Sequence, residues 1–311
     1  MTHPAPGDRA LSTADGPTAV KARMAPETIL GCLAVFGSAF FFYLATVIIK
    51  WAALAGLEID AAMFVFSRFL LGFLTVIAVM FFQKRNLLVK KKRLLVGRAV
   101  GNALAVYCFF KGVDATWVAQ ANILNMTYPL FISVFSWIFF KEQRDFTAIF
   151  IVIIAFFGVV LIMAPDRMAF TLNSLWGLAS GLFAAVGLIY LNLSRQVHDT
   201  NTTLFFMFSL GGLLVLCLFF NKLSIPGTAE LVYLFWCSAV AIAGQYLLTL
   251  GFKYVTAVEG SILSSSRILL AALLGPVIAM DPALSLSGWT GAFLIFAGNV
   301  FLTIKKAKQI H

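Results

Sequence analysis

Charge is scarce in this chain. Of 311 residues only 12% are Asp, Glu, Lys or Arg, against about a quarter in a soluble domain, while 61% are hydrophobic and 32 are phenylalanine. That deficit argues against a soluble fold and for a protein whose solvent is lipid. Histidine and cysteine are few as well. His3, His198 and His311 lie at the termini and in one loop, and Cys32, Cys108, Cys217 and Cys237 sit inside apolar runs without paired spacing. Neither a metal site nor a disulfide framework is expected from them. No GxxxxGK[ST] loop, HExxH helix or GxSxG turn occurs, so ATP-driven pumping is not expected and no cofactor is implied.

The net charge of +10 does not mark a nucleic-acid binder, because the basic residues are spread over short loops rather than along one face. An enzyme would need paired carboxylates, a His cluster or an activated nucleophile at membrane depth, and the spans offer none. The first residues, "MTHPAPGDRALSTADGPTAVKARMAP", lack the apolar core of a secretory signal. They are expected to form a disordered cytoplasmic tail, 1–28.

What is present is a series of apolar runs near the roughly 20 residues that a membrane helix needs. They cover 29–49, 61–82, 94–110, 115–140, 146–164, 172–193, 203–220, 231–252, 257–280 and 286–304. The expected class is an all-α integral membrane protein of ten transmembrane helices, with the lipid bilayer as its surroundings and a short C-terminal tail, 305–311. With the N-terminus inside, cytoplasmic segments hold 16 Lys and Arg and outer loops hold 4, while Arg68, Arg98 and Arg267 lie within spans. That bias places both termini in the cytoplasm. The expected location is a bacterial inner (plasma) membrane. Nothing in the pattern specifies an oligomer.

Small residues four apart, in "GRAVG" (Gly97, Gly101) and "GLASG" (Gly177, Gly181), suit close helix packing. Ten spans also divide into two sets of five, 29–164 and 172–304, which would enter the membrane from opposite sides. Residues 109–142 can be laid on 248–281 without a gap, at an offset of 139. Gly112 then meets Gly251, Gln120 meets Glu259, Asn122 meets Ser261, Asn125 meets Ser264, and Glu142 meets Asp281. Inverted repeats of this kind build secondary transporters, with the substrate near the midplane.

The "SRFLLGFL" of the second span and the "YPLFISVFSWIFFKEQ" of the fourth resemble the EamA families of the drug/metabolite transporter superfamily. The resemblance spans residues 29–304. It implies two inverted five-helix repeats around a central cavity that moves small metabolites, often amino acids or their derivatives. It also implies that the fourth and ninth spans end in a Pro-containing apolar run and an acid. Pro129 and Glu142 fit. In the second half Pro276 comes late, Ile268 stands where the proline is expected, and Asp281 replaces glutamate.

Arg267 lies near the midpoint of its span, a costly place for a guanidinium. Two readings fit. Facing the cavity, it would hold a substrate carboxylate or phosphate bidentately. Alternatively, a permanent ion pair or backbone carbonyls hold it. Arg68, in a position that recurs among proteins of the resembled family, has either a structural role or a substrate contact. Arg98, one turn inside its span, is expected to snorkel to the headgroups. Glu259 would either titrate in a proton-coupled cycle or stabilise its own helix dipole; the dipole also suits Glu142 and Asp281.

Asn122, Asn125, Pro129, Ser133 and Ser136 share one stripe of the fourth span, and Ser261, Ser264 and Ser265 repeat it on the ninth. With Asn102 and Tyr107 on the third span and Gln245 and Tyr246 on the eighth, they are the cavity candidates. Tyr128 and Tyr43 complete the set. For any single member an interhelical hydrogen bond is the simpler role. The function expected is a secondary transporter or exchanger of a small polar metabolite, an amino acid or derivative with an anionic group (S-adenosyl compounds included), working by alternating access. A membrane-embedded enzyme and a facilitative channel are the alternatives.

Overall fold

Lipid offers no hydrogen bonds to exposed amides, so an apolar chain must satisfy its backbone internally. In the computed structural model, which describes residues 26–84, 87, 89–139, 146–163, 172–195, 197–254 and 257–308, the described elements are all helical. In order they are α1 (Pro26–Leu54), α2 (Ala61–Gln83), α3 (Lys92–Ala115), α4 (Val118–Asn125), α5 (Tyr128–Phe139) and α6 (Phe146–Met163). There follow α7 (Ser174–Arg195), α8 (Thr200–Phe219), α9 (Thr228–Tyr254), α10 (Ala257–Leu274) and α11 (Leu286–Lys308). The expected tail up to residue 25, and Glu142, lie outside the described residues.

Among the described residues, six helices are long and apolar enough to cross a membrane: α1, α2, α3, α7, α8 and α9. Shorter apolar stretches cover Phe150–Ile162, Leu263–Ala279 and Leu286–Phe301. The run 115–140 is divided into α4 and α5 by a turn at Met126 and Thr127. α1 begins at Pro26, inside the expected tail, where a proline's missing N–H is no loss. Asp60 and Asp199 cap α2 and α8, accepting from the amides of Ala62 and Thr202 at 2.8 and 3.3 Å.

Helix packing follows a definite pairing. α3 lies along α7 and α1 along α9. α3 also touches α8, as α2 touches α9; α4 meets α7, as α10 meets α1. α2 packs on α8, α4 on α10, and α6 on α11. Close approach explains several of these. A methyl at Gly101 would stand 2.8 Å from the Gly187 backbone, and methyls at Gly158 and Gly291 would each press the other residue's carbonyl, at 2.8 and 2.6 Å. At the α2–α8 contact, the Phe69 ring fills the space over Gly211 while Phe208 fills the space over Gly72, and the two rings meet edge to face at 6.0 Å. Phe69 and Phe208 are 139 residues apart, as are Gly72 and Gly211.

The connections are tied in two separate groups. One joins Lys222 to Asp60 (3.9 Å) and to the Tyr107 hydroxyl (3.4 Å), and Trp51 Nε1 to the Ile278 carbonyl (2.8 Å). The other joins the Lys90 and Lys91 amides to His198 Nε2 (3.1 and 3.2 Å) and Asn201 to Gln83 (3.0 Å). Neither group mixes loops that the charge count assigned to opposite sides.

Candidate binding site

α10 carries Arg267 into the protein, where it is 7% exposed. Its Nη2 donates to Oδ1 of Asn125, the last residue of α4, at the edge of the break in the fourth span. Asn125 Nδ2 in turn donates to Ser180 Oγ on α7 at 2.8 Å. The guanidinium carbon lies 5.2 Å from the centre of the Phe109 ring and 6.0 Å from that of Phe42. Tyr128, which opens α5, stands close enough to interact with both Arg267 and the Ser264 hydroxyl. Four of the expected site residues therefore gather here: Arg267, Asn125, Tyr128 and Ser264.

Two more arginines are buried nearby. Arg68, 5% exposed, lies 5.6 Å from the Phe42 centre and 5.9 Å from Phe110, so one phenyl ring serves both Arg68 and Arg267. Arg98 is also 5% exposed. The snorkelling expected of it is therefore corrected: its Nη1 points at α7 beside Gly187, whose missing side chain leaves room for it. Arg68 is near enough to Arg98 and to Arg267 for the like charges to interact.

In all three the Nε is buried without a hydrogen-bond partner. Among the described residues the ion pairs are Lys111–Asp114 and Lys222–Asp60, so no described carboxylate reaches any of the three. Aromatic faces return about 0.5–2 kcal/mol to a cation. Burying an unpaired ion costs several kcal/mol. The rings do not close that gap.

A second group surrounds Asn122. Its Nδ2 donates to Thr46 Oγ1 (3.0 Å) and the Val118 carbonyl (2.9 Å), and the Thr46 hydroxyl donates to the Tyr43 carbonyl. The Tyr43 hydroxyl is buried and unbonded. Close to Tyr43 lies Asp281, just beyond the π turn (Gly275–Ala279) that follows α10. The expectation that Asp281 serves the start of its own next helix is corrected: its carboxylate accepts from the Ala119 amide at 2.8 Å and so caps α4 in the other half of the chain. α4 needs such a partner, because its own N-cap residue, Trp117, makes no side-chain cap. Burial pushes the Asp281 carboxyl above the usual carboxylate range, against the opposing pull of the Ala119 and Val118 amides and of Lys50.

The remaining expected residues are scattered. Tyr107 stacks on Phe219 at 4.0 Å and its hydroxyl accepts from Lys222, at the loop end of the bundle and away from Arg267. Asn102 lies one turn beyond Arg98, its Nδ2 buried and unbonded. Gln245 is buried on α9, and beside it the Tyr246 hydroxyl is sealed without a partner. Ser261 and Glu259 fall on α10, but their side chains lie outside the described residues. The stripe through Asn122, Asn125 and Ser133 is interrupted at Met126, and Ser133 bonds back to the Pro129 carbonyl at 3.0 Å.

Sequence reasoning missed Asn299. Its Nδ2 donates at 2.8 Å to the Met126 carbonyl, at the break between α4 and α5. A buried Asn in an apolar span was the available signal. Among the described residues, no three His, Cys, Asp or Glu side chains gather to hold a metal ion.

Known proteins share these features. The model of the EamA-like transporter family matches twice, over 29–164 and 171–304. The pseudopaline exporter CntI of Pseudomonas aeruginosa is 26% identical over 227 residues, covering 72% of this chain and 78% of that protein. An uncharacterized transporter of Archaeoglobus fulgidus is 26% identical over 240 residues, covering 77% of this chain and 85% of its own. One crystal structure of a protein 20% identical superposes with a TM-score of 0.59, over 92% of this chain and 98% of that one, which supports the fold alone. The two family matches account for nearly all the helical residues and make the protein a transporter, while its apolar helices identify a multi-pass membrane protein. The chain belongs to the EamA-like transporter family.

Proposed function

We propose that this transporter is a ten-span secondary carrier of a small polar metabolite with an anionic group, an amino acid or derivative, and that its two five-helix halves form an inverted repeat. α4 and α5 together make one span in this reading. The packing supports the repeat. Exchanging each span of one half for its counterpart in the other turns α3–α7 into α9–α1, α3–α8 into α9–α2, and α4–α7 into α10–α1. The α2–α8 and α6–α11 contacts map onto themselves, as a two-fold axis requires. A half with an odd number of spans can be superposed on the next only by inversion across the membrane, which is the construction that alternating access uses. The charge bias of the loops sets both termini in the cytoplasm.

One observation carries the site. Arg267, from the second half, meets Asn125 at the broken helix of the first, so any rocking of the halves changes what the guanidinium touches. A substrate carboxylate would replace the Asn125 oxygen with a charged acceptor. Reconstituted protein is expected to exchange labelled glutamate, with Arg267→Ala weakening apparent affinity while gel filtration stays normal. Unaltered exchange of every substrate tested by that variant would remove Arg267 from the site.

A further inference from the structure

Arg68, Arg98 and Arg267 come from three different helices and share one interior region. Phe42 faces two of them, so their guanidinium carbons are no further apart than the two ring distances, 5.6 and 6.0 Å, laid end to end. Arg68 interacts with both of the others. All three keep an unbonded, buried Nε, and no described carboxylate pairs with any of them. Asp281, which is buried, is engaged by the Ala119 amide, and the charge it senses is Lys50. The Cys237 thiol beside Arg68 donates to the Ala45 carbonyl at 3.4 Å. Asn125 compensates Arg267 with a neutral oxygen alone.

From this surplus we infer that the substrate is a small organic acid with at least two anionic groups, one held by Arg267 and another by Arg68 with Arg98 behind it. The inference rests on the transporter reading above and narrows its substrate. A monocarboxylate would neutralise one arginine and leave the rest repelling each other. A zwitterionic amino acid would also bring an ammonium into a positive region. Two acidic groups relieve the repulsion, and the bidentate geometry of each guanidinium suits a carboxylate or a phosphate. Before the substrate arrives, Arg68 and Arg267 rest against the faces of Phe42, Phe109 and Phe110, and Asn125 accepts from Arg267.

Thermal shift and calorimetry on purified protein in nanodiscs test this with glycine, lactate, succinate, citrate, glycerol 3-phosphate, inorganic phosphate and chloride. Succinate or citrate is expected to bind about tenfold or more tighter than lactate, because each added charged contact weighs directly on the equilibrium. A preference for glycerol 3-phosphate over both would assign the second anionic group to a phosphate and still support the inference. Arg68→Gln should abolish that preference and, by removing an uncompensated charge, leave the melting point of the empty protein unchanged or higher. Arg68→Lys should retain part of the preference. Equal binding of lactate and succinate overturns the inference, as does an equal response to chloride. A melting point that falls in both Arg68 variants with the preference intact makes Arg68 structural and overturns it too. Counterflow in proteoliposomes separates the two readings. Exchange of glycine but not succinate leaves a transporter and defeats the dianion, while tight succinate binding with no exchange of any probe defeats the carrier reading and leaves the dianion site.

Discussion

Val118 and Ala257 stand 139 residues apart and each opens a helix, yet the two helices give way at different depths. α4 ends after eight residues and passes to α5 through Met126 and Thr127. α10 runs straight through the corresponding Ser265 and Ser266 and loosens only in a π turn, Gly275–Ala279. The prolines account for the difference. Pro129 is the second residue of α5, where no intrahelical donor is missed. At the corresponding position α10 has Ile268, fully buried, and Pro276 falls inside the π turn instead. Each break exposes a carbonyl that another helix uses: Asn299 bonds Met126 and Trp51 bonds Ile278. One half thus offers Arg267 from an unbroken helix, and the other offers Asn125 from a helix end. The contrast is between a stiff arm and a yielding one.

Making the stiff arm break like the yielding one is the harshest test. Ile268→Pro removes the bond from residue 268 to the Ser264 carbonyl and drives a ring into the preceding turn, at a cost of about 3 kcal/mol or more. A large fall in the thermal midpoint in detergent, with loss of the monodisperse peak, is expected. A variant that melts like the parent would mean α10 already tolerates a break where α4 has one.

Parts of this contrast were legible in the chain. Pro129, Pro276 and the Ile268 mismatch announced that the two spans would differ, and 118 and 257 obey the 139-residue offset read from the sequence. The same 139-residue offset also relates positions outside that alignment: "FLLG" at 69–72 and "FSLG" at 208–211 form the reciprocal ring-on-glycine contact of α2 and α8. Arg98 was misread because snorkelling is judged from distance to a helix end, whereas the space that holds it belongs to Gly187 on another helix. Asp281 was misread for a similar reason. Its sequence neighbours suggested a partner for the dipole of the helix that follows, but the uncapped N-terminus that it meets is 162 positions away. Tyr107 went to Phe219 and Lys222, contacts that no single-helix periodicity encodes. Local pattern reports which face is polar; it does not report what another helix lacks.

The junction of the two arms gives the next test. Asn125→Asp sets a carboxylate against Arg267, and leaving a buried charge without its partner costs about 3–5 kcal/mol, so supplying one should recover part of that. A higher thermal midpoint is expected, together with about tenfold weaker binding of an anionic substrate, since the aspartate competes for the same guanidinium. A variant both less stable and equally avid would show that Arg267 is already neutralised.

Helix contacts exchanged by the proposed axis need not be equally tight, and glycine substitutions measure this. Gly101→Ala places a methyl against Gly187 backbone, which cannot rotate away, and should cost about 1–3 kcal/mol. Gly37→Ala, on α1 where it meets α9, finds only the tip of Leu247 at 3.5 Å and should stay within about 0.5 kcal/mol of the parent. Equal losses at the two sites, by chemical or thermal unfolding, would show that α3–α7 and α1–α9 are alike in tightness as well as in arrangement.

Asp281 supplies the most specific sign. Its folded pKa is raised by burial, so between the ordinary value of about 3.9 and the raised one the folded protein binds more protons than the unfolded chain. Stability then falls as pH rises through that window and levels off above the folded pKa. Asp281→Asn keeps an oxygen for the Ala119 amide but cannot titrate. The parent should melt like the variant at the acid end and drop below it as pH rises, by about 1.4 kcal/mol for each unit that the pKa is raised. The opposite trend, with the parent gaining on the variant toward neutral pH, would mean that the amides of α4 and Lys50 outweigh desolvation and the cap works as a charge. Under the proposed exchange Glu142 is the counterpart of Asp281, so Glu142→Gln should give a difference of the same sign; opposite signs would confine the trans cap to one half and make it part of what distinguishes the yielding arm from the stiff one.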